Sequence, residues 1–477
     1  MLQDRSMSRR DVLAAGGAAA IAAVLPLRRS GQARASGAAD GPFVLKPAKA
    51  PLVGMGFPET AVWTYNGDVP GPEIRRRQGE HLRVVVENGL DRETTVHWHG
   101  IRLPNAMDGV PHVTQKPIAM GERFVYEFDL PDAGTYWYHP HEGSSEQVGR
   151  GLYGPLIVEE RAPIRVDRDV VWVLDDWRLQ NDAQIVGDFG SLHDMSHNGR
   201  IGNTVTVNGR IPGAFWARRG ERIRLRLINV ANARSFALDF AGHRPVAIAY
   251  DGQPVTPHEP PGGRIVLGAA MRADLIIDMM GKPGERFAVT DRFYPNAGYP
   301  LRDIAYQDET LRDRPLDAPL ALAANTMPEP DLAEAQRHHI VLGGGMMGGM
   351  TGAMMGGRQT DLRTMMHNGK AWAINGVAAS GHMMESLLTL QKGRTHVFVM
   401  ENQTAWHHPM HLHGHSFRVI RRNGRPTAHS EWRDTVLLDP RELVEIAFVA
   451  DNPGDWMFHC HILEHQEGGM MGLVRVA

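Results

Sequence analysis

The chain has 477 residues, a formal net charge of −3 and a single cysteine. That length is too great for one core and suggests about three domains. The near-neutral balance offers nothing to a nucleic-acid or anionic-membrane partner, and one cysteine rules out an intramolecular disulfide framework.

At the start, Ser8-Arg9-Arg10-Asp11-Val12-Leu13 opens an apolar run through Leu25, and Ala33-Arg34-Ala35 offers an A-x-A cleavage site. The arginine pair is similar to a twin-arginine signal, a route for proteins exported already folded. About 14 apolar residues fall short of the roughly 20 that span a bilayer. The expectation is a signal over residues 1–35, a periplasmic location, and a mature protein from near Ser36 with no membrane span.

Beyond the signal, short β-rich segments of Val, Ile, Leu and Phe alternate with Gly, Pro, Asn and Asp, the pattern of sandwiches or barrels. They repeat. Asn66-Gly67 precedes Gly79-Glu80-His81-Leu82-Arg83-Val84-Val85-Val86-Glu87-Asn88. Asn208-Gly209 precedes the run Gly220 to Asn229, and Asn375-Gly376 precedes Gly393 to Asn402. Each time the glycine leads the asparagine by nine positions, so the chain reads as three copies of one β-domain.

The repeat supplies a register for chemistry. Nine residues after Asn88 comes His97-Trp98-His99-Gly100, and nine after Asn402 comes His411-Leu412-His413-Gly414. Gly134 leads His139-Pro140-His141 by five, and Gly454 leads His459-Cys460-His461 by five. The middle copy has Leu238-Asp239-Phe240 and Val289-Thr290-Asp291 at these places, with no ligand pairs. On a strand, His-x-His puts both imidazoles on one face. A single pair is more often packing or solvated surface. Four pairs in register let eight imidazoles converge between two domains, enough for several metal ions.

Between Gly343 and Met384 the composition shifts to Gly and Met, and nine of the 24 methionines lie there. So much glycine predicts a mobile surface loop. Thioethers there favour Cu(I), although methionine as filler in a linker is the plainer reading. The last segment holds Cys460 between His459 and His461, with His465 and Met470 downstream. If residues 458–462 form a strand, Cys460 faces away from its two neighbours. Thiolate, imidazole and weak thioether are the ligands of a blue-copper site. His408, three before His411, could complete it, with His407 as its rival.

These motifs resemble the multicopper oxidases. His97-x-His99-Gly100, His139-x-His141, His408-Pro409-x-His411-x-His413 and His459-Cys460-His461 with His465 and Met470 reproduce the family's four copper signatures. The resemblance covers nearly all of the mature chain. It implies an all-β fold of three cupredoxin-like Greek-key β-sandwich domains at residues 40–162, 165–325 and 335–477, with the Met/Gly insert 343–384 in the third. It implies four copper ions. Type 1 would take His408, Cys460 and His465 with Met470 axial, and type 2 would take His97 and His411. The type-3 pair would take His99, His139 and His461 on one ion and His141, His413 and His459 on the other.

The resemblance also implies an oxidase that passes single electrons through Cys460 to the cluster and reduces dioxygen to water. Asp108 looks like the family's acid beside the cluster; its plainer reading is a turn residue before Gly109. Glu464 and Glu467 are further candidate proton carriers. Some members have a relaying glutamate directly after the type-1 histidine where this chain has Gln466, which leaves Glu467 or water in its place. Bacterial cuprous oxidases of the family carry a methionine-rich insert in this region and an acid four residues before the His-Pro motif, where Thr404 stands. The favoured substrate is Cu(I), with possible extra Cu(I) at the insert. The alternatives are a laccase acting on phenols and aromatic amines, and a non-enzymatic copper-binding or scaffold protein. A monomer is expected.

Overall fold

The computed structural model describes residues 43–52, 59–380 and 386–477. The export signal, its cleavage site and His382-Met383-Met384 lie outside these residues. Among the described residues no helix is long and apolar enough to cross a membrane.

The recurring asparagine does the same work in each repeat. Asn88, after the strand His81–Glu87, donates from Nδ2 to the carbonyls of Arg92 and Ile118 at 2.7 and 2.8 Å and accepts the Leu90 amide at Oδ1. Asn229 closes Glu221–Asn229 with bonds to Arg234, Leu267 and Ala231. Asn402 closes Thr395–Asn402 with bonds to Trp406, Asp439 and Thr404. One buried amide thus satisfies three backbone groups and ties the strand's end to the loop that follows. In the first and third repeats that loop leads to the histidines.

The Asn-Gly pairs are also equivalent. Asn66, Asn208 and Asn375 have φ of 59°, 53° and 51°, followed by glycines at 87°, 69° and 72°. Two consecutive left-handed residues make a tight hairpin turn that Asn-Gly suits. The Asn side chains accept the amides of Lys46, Val173 and Val341 at 2.6, 2.7 and 2.7 Å.

Each repeat builds a two-sheet sandwich. In the first, Phe43–Leu45, His81–Glu87 and Arg123–Asp129 form one sheet; Ile74–Arg77, Gly154–Glu159, Gly134–His139 and His97–His99 form the other. The second pairs a six-stranded with a five-stranded sheet, and the third a seven-stranded with a five-stranded one. Matching parallel pairs recur: Phe43–Leu45 with His81–Glu87, Arg168–Trp177 with Glu221–Asn229, and Gln336–Gly344 with Thr395–Asn402. Parallel neighbours cannot be joined by a hairpin, so each marks a crossover between sheets.

The first and third sandwiches share one continuous apolar core that includes Val96, Trp98, Tyr138, Met410, Leu412 and Cys460, while the second has its own around Leu225, Leu238 and Leu275. That sharing draws the two histidine-bearing sheets together.

The Met/Gly insert corrects an expectation. Its described part is folded rather than a loose loop: Gly352–Met355 pairs with Arg358–Asp361, and the helix Leu362–His367 follows. Asp361 caps that helix by accepting the Thr364 amide at 3.0 Å, and Met365 is fully buried. The glycines serve turns. Gly356 and Gly357 take φ of 56° and 74° between the two strands.

Candidate metal centre

The strand Gly454–Cys460 lies between His408–Leu412 and Met471–Val476. It stops at Cys460 rather than running to residue 462: the His461 amide still bonds the facing Pro409 carbonyl at 2.7 Å, but proline has no N–H to return, and the Ile462 amide turns back to Cys460 Sγ at 3.4 Å. Register sets Cys460 opposite Met410 and His459 opposite His411. Cys460 Sγ lies 3.5 Å from His408 Nδ1 and 3.7 Å from His465 Nδ1, and those two nitrogens are 3.2 Å apart. All three side chains are buried. Met470 is buried beside them, its carbonyl accepting the Cys460 amide and its own amide bonded to the His465 carbonyl. His407 instead lies half-buried near Asp439 and against Phe293.

Each imidazole of this trio has its outer nitrogen occupied. His465 Nε2 donates to the His197 carbonyl at 2.7 Å, and His408 Nε2 to Thr404 Oγ1 at 2.8 Å. Thr404 in turn donates to Asn402 Oδ1 at 2.8 Å. The inner Nδ1 atoms therefore carry lone pairs toward the sulfur. Burial holds His465 down to about 3 and pushes the Cys460 thiol up. A thiolate in this dry pocket requires a cation beside it, which two neutral imidazoles do not provide.

The other eight histidines meet between the first and third sandwiches. His97 sits opposite His139 in strand register. His141, His413 and His459 form one group with ligand atoms within 4.8 Å of one another. His99, His139 and His461 have ring centroids 5.0–5.8 Å apart, and those of His97 and His411 are 5.8 Å apart.

Their proton positions follow from their partners. Nδ1 of His97, His139, His411 and His459 donates to the carbonyls of Asp108, Pro140, Asp434 and Cys460 at 2.8–2.9 Å. His413 Nδ1 donates to Asp108 Oδ2 at 2.8 Å. Each leaves Nε2 bare. On His97, His139, His141 and His411 that atom is buried with no hydrogen-bond partner, while the Nε2 atoms of His413 and His459 face each other at 3.1 Å. His99 is reversed: Nε2 lies 3.1 Å from Asp434 Oδ1, and Nδ1 is the orphan. His461 has neither nitrogen bonded.

Buried polar atoms without partners are costly. So many convergent imidazole lone pairs fit copper, which takes imidazole readily. Burial, reinforced by neighbouring imidazoles, holds His99, His141, His413 and His461 well below the usual imidazole range. They stay neutral and able to ligate.

Of the candidate acids, Asp108 joins the cluster, bonding His413 by its carboxylate and His97 by its carbonyl. Glu464 is turned to the Arg200 amide and to Asn232, both at 3.0 Å. Glu467 grips Ser145 through its amide at 2.9 Å and its hydroxyl at 2.6 Å. Both stand on the short helix Leu463–Glu467 and bond other domains rather than an imidazole. Gln466 is buried with Oε1 unpartnered.

Sequence reasoning missed Asp434, Arg272, His197 and Trp372. Asp434 bonds His99 and is gripped by Arg272 of the second sandwich at 2.8 and 2.5 Å. Trp372 packs on His465 and His408 with centroids at 4.2 and 5.0 Å. No spacing marks any of them in the sequence: Asp434, buried in the bend between Trp432–Arg433 and Thr435–Leu438, is an isolated acid with no motif around it.

The chain is similar to known proteins along most of its length. Three family profiles described as multicopper oxidase match residues 49–163, 168–303 and 356–477. The Mycobacterium tuberculosis protein described as multicopper oxidase MmcO is 32% identical over 96% of this chain and 90% of its own. The crystal structure of a multi-copper oxidase from Pseudomonas thermotolerans is similar with a TM-score of 0.79 and 34% identity, covering 92% of this chain and 99% of that one. A Campylobacter jejuni multicopper oxidase, described as a metallo-oxidase, is similar with a TM-score of 0.74 and 26% identity, covering 91% and 90%.

Proposed function

Since the chain belongs to the multicopper oxidase family and is therefore a copper oxidoreductase using dioxygen, we propose that its reducing substrate is Cu(I). Four Cu(I) ions would each give one electron, and one dioxygen with four protons would become two waters. His408, Cys460, His465 and Met470 would hold the type-1 copper, and His97 and His411 the type-2 copper. His99, His139 and His461, with His141, His413 and His459, would hold the type-3 pair. Bound copper would supply one-electron redox chemistry at the thiolate and oxygen-reducing chemistry among the imidazoles.

The chain supplies the path, the dryness and the protons. Cys460 is covalently joined to His459 and His461, so three consecutive residues reach both sites. Complete burial of all three excludes water from that path. Asp108, one of two acids among the described residues in contact with cluster imidazoles and the one free of an arginine clamp, holds a proton position at His413 Nδ1.

The observation that carries the Cu(I) reading is where the insert starts. The Met346 amide bonds the Ser196 carbonyl at 2.8 Å, and the Met346 carbonyl accepts Trp406 Nε1 at 2.9 Å. The next residue, His197, caps His465. Met346 and Met347 are 41% and 71% exposed, so soft thioethers stand at the surface above the thiolate site. A groove of about 580 Å³ beside them, lined by His339, Val341, Gly343 and Met350, favours the second reading, a laccase taking small aromatics.

Deleting residues 343–366 would remove buried Met365 and the Gly345 turn packed on Trp372. Substitution is the cleaner test. Met346→Leu with Met347→Leu should cut Cu(I) oxidation at least about tenfold, in keeping with a lost soft ligand, and leave phenol and diamine oxidation unchanged. Equal activity on all three substrates would overturn the Cu(I) reading. Export to the periplasm by the twin-arginine route, a monomeric state and the domain limits 40–162, 165–325 and 335–477 belong to the same proposal. The Ser8-Arg9-Arg10 motif supports the export route.

A further inference from the structure

The cluster is held by two aspartates in near-symmetric roles. Asp108, from the first sandwich, uses its carbonyl on its own domain's His97 and reaches across with its carboxylate to His413. Asp434, from the third, uses its carbonyl on its own domain's His411 and reaches across with its carboxylate to His99. The symmetry breaks in two places. Asp434 meets Nε2 of its distant histidine where Asp108 meets Nδ1. Asp434 alone of the two is gripped by a guanidinium, that of Arg272.

Arg272 belongs to the sandwich that carries no ligands, yet it is fully buried and anchored on every side. It donates to the carbonyls of Thr135 and Ala270 at 3.2 Å each, and its amide bonds Asp251 Oδ1 at 2.8 Å. Bidentate geometry fixes both the place and the rotation of a carboxylate. Asp434 Oδ1 also accepts Thr435 Oγ1 at 2.8 Å. The chain leaves room for this clamp at Gly100, directly after His99. A Cβ there would lie 2.4 Å from Arg272 Nη2 and from Asp434 Oδ2, and the residue has a φ of 87°.

We infer that Arg272 is a positioning residue for the cluster: by clamping Asp434 it holds the proton of His99 on Nε2 and turns the Nδ1 lone pair toward the metal position. A histidine ligand's tautomer is set by the bond its other nitrogen makes. Here Nε2 faces the Asp434 carboxylate, which accepts only, and at 3.2 Å the Thr435 hydroxyl, whose own proton goes to Asp434. The second sandwich, stripped of ligands, thus keeps a part in the site through one side chain. This rests on the copper-cluster reading, but its first readout does not depend on it.

The test uses the full chain without copper, labelled with ¹⁵N-histidine, His99 being assigned by difference against His99→Gln. Wild type should carry the His99 proton on Nε2; a proton on Nδ1 would overturn the inference whatever copper does. Arg272→Met should give a mixture of both tautomers, and Arg272→Lys, which keeps charge without the fork, an intermediate one. After copper loading, Arg272→Met should lose copper from the histidine cluster about 10- to 100-fold more readily against a chelator, with the thiolate site's absorption unchanged. An unchanged tautomer and unchanged retention in a folded Arg272→Met would refute the positioning role. Should that variant fail to fold, the wild-type tautomer and Arg272→Lys still decide. Correct tautomers in a protein that binds no copper would uphold the inference while refuting the cluster reading.

Discussion

Asp108 Oδ2 lies 2.8 Å from His413 Nδ1, although 305 residues separate them along the chain. Oxygen reduction consumes protons, and the proposed function gives this carboxylate the part of passing them. Asp108→Asn keeps the main-chain bond to His97 and the shape but cannot relay a proton as a carboxylate does. The variant is expected to slow oxygen uptake by about 100-fold or more. Anaerobic bleaching of the thiolate site's colour by a reductant should be unaffected. Equal slowing of both would make Asp108 structural only.

Gly100→Ala places a methyl group against two buried charged atoms and strains a positive φ. Such strain costs about 1–3 kcal/mol. The expected outcome is a lowered apparent Tm and weakened copper retention. An alanine variant as stable as wild type would show that the clamp has slack.

Asp175 predicts a pH dependence away from the metal residues. It lies in the strand Arg168–Trp177, accepts Tyr153 Oη at 2.5 Å, and is pushed up to about 8 by burial and then by the Asp176 charge. An unfolded carboxyl titrates near 3.9, taken as about that value. Between the two, the native state holds a proton that the unfolded chain lacks. Its contribution to stability therefore falls as pH rises from about 4 to about 8 and is constant above. Asp175→Asn removes this slope, so its Tm advantage over wild type should grow from pH 5 to pH 8, both chosen as about the ends of the window. A difference independent of pH would refute the shifted carboxyl.

The convergence of the histidines was legible because strand geometry converts spacing directly into facing. His97 and His99, or His459 and His461, share a side by alternation, and the repeat showed which pairs correspond. The supporting residues were not legible. Arg272 and Asp434 meet across 162 positions and two domains, and no local pattern announces a tertiary ion pair. The insert misled because glycine was read as looseness, whereas Gly356 and Gly357 build a hairpin turn. Glu467 sits two residues after His465 in sequence, yet its carboxylate faces Ser145. Ser145 holds in the first domain the slot that His465 holds in the third, so its short helix Ser144–Gly149 meets the matching helix Leu463–Glu467 where the repeats face each other.

The central claim is that Cys460 joins electron uptake to oxygen reduction. Oxygen uptake by copper-loaded Cys460→Ser, given a reductant, tests it most directly. The account predicts a folded protein without blue colour, with copper retained among the eight cluster histidines, and with no oxygen consumed above background. Oxygen uptake near the wild-type rate would contradict it.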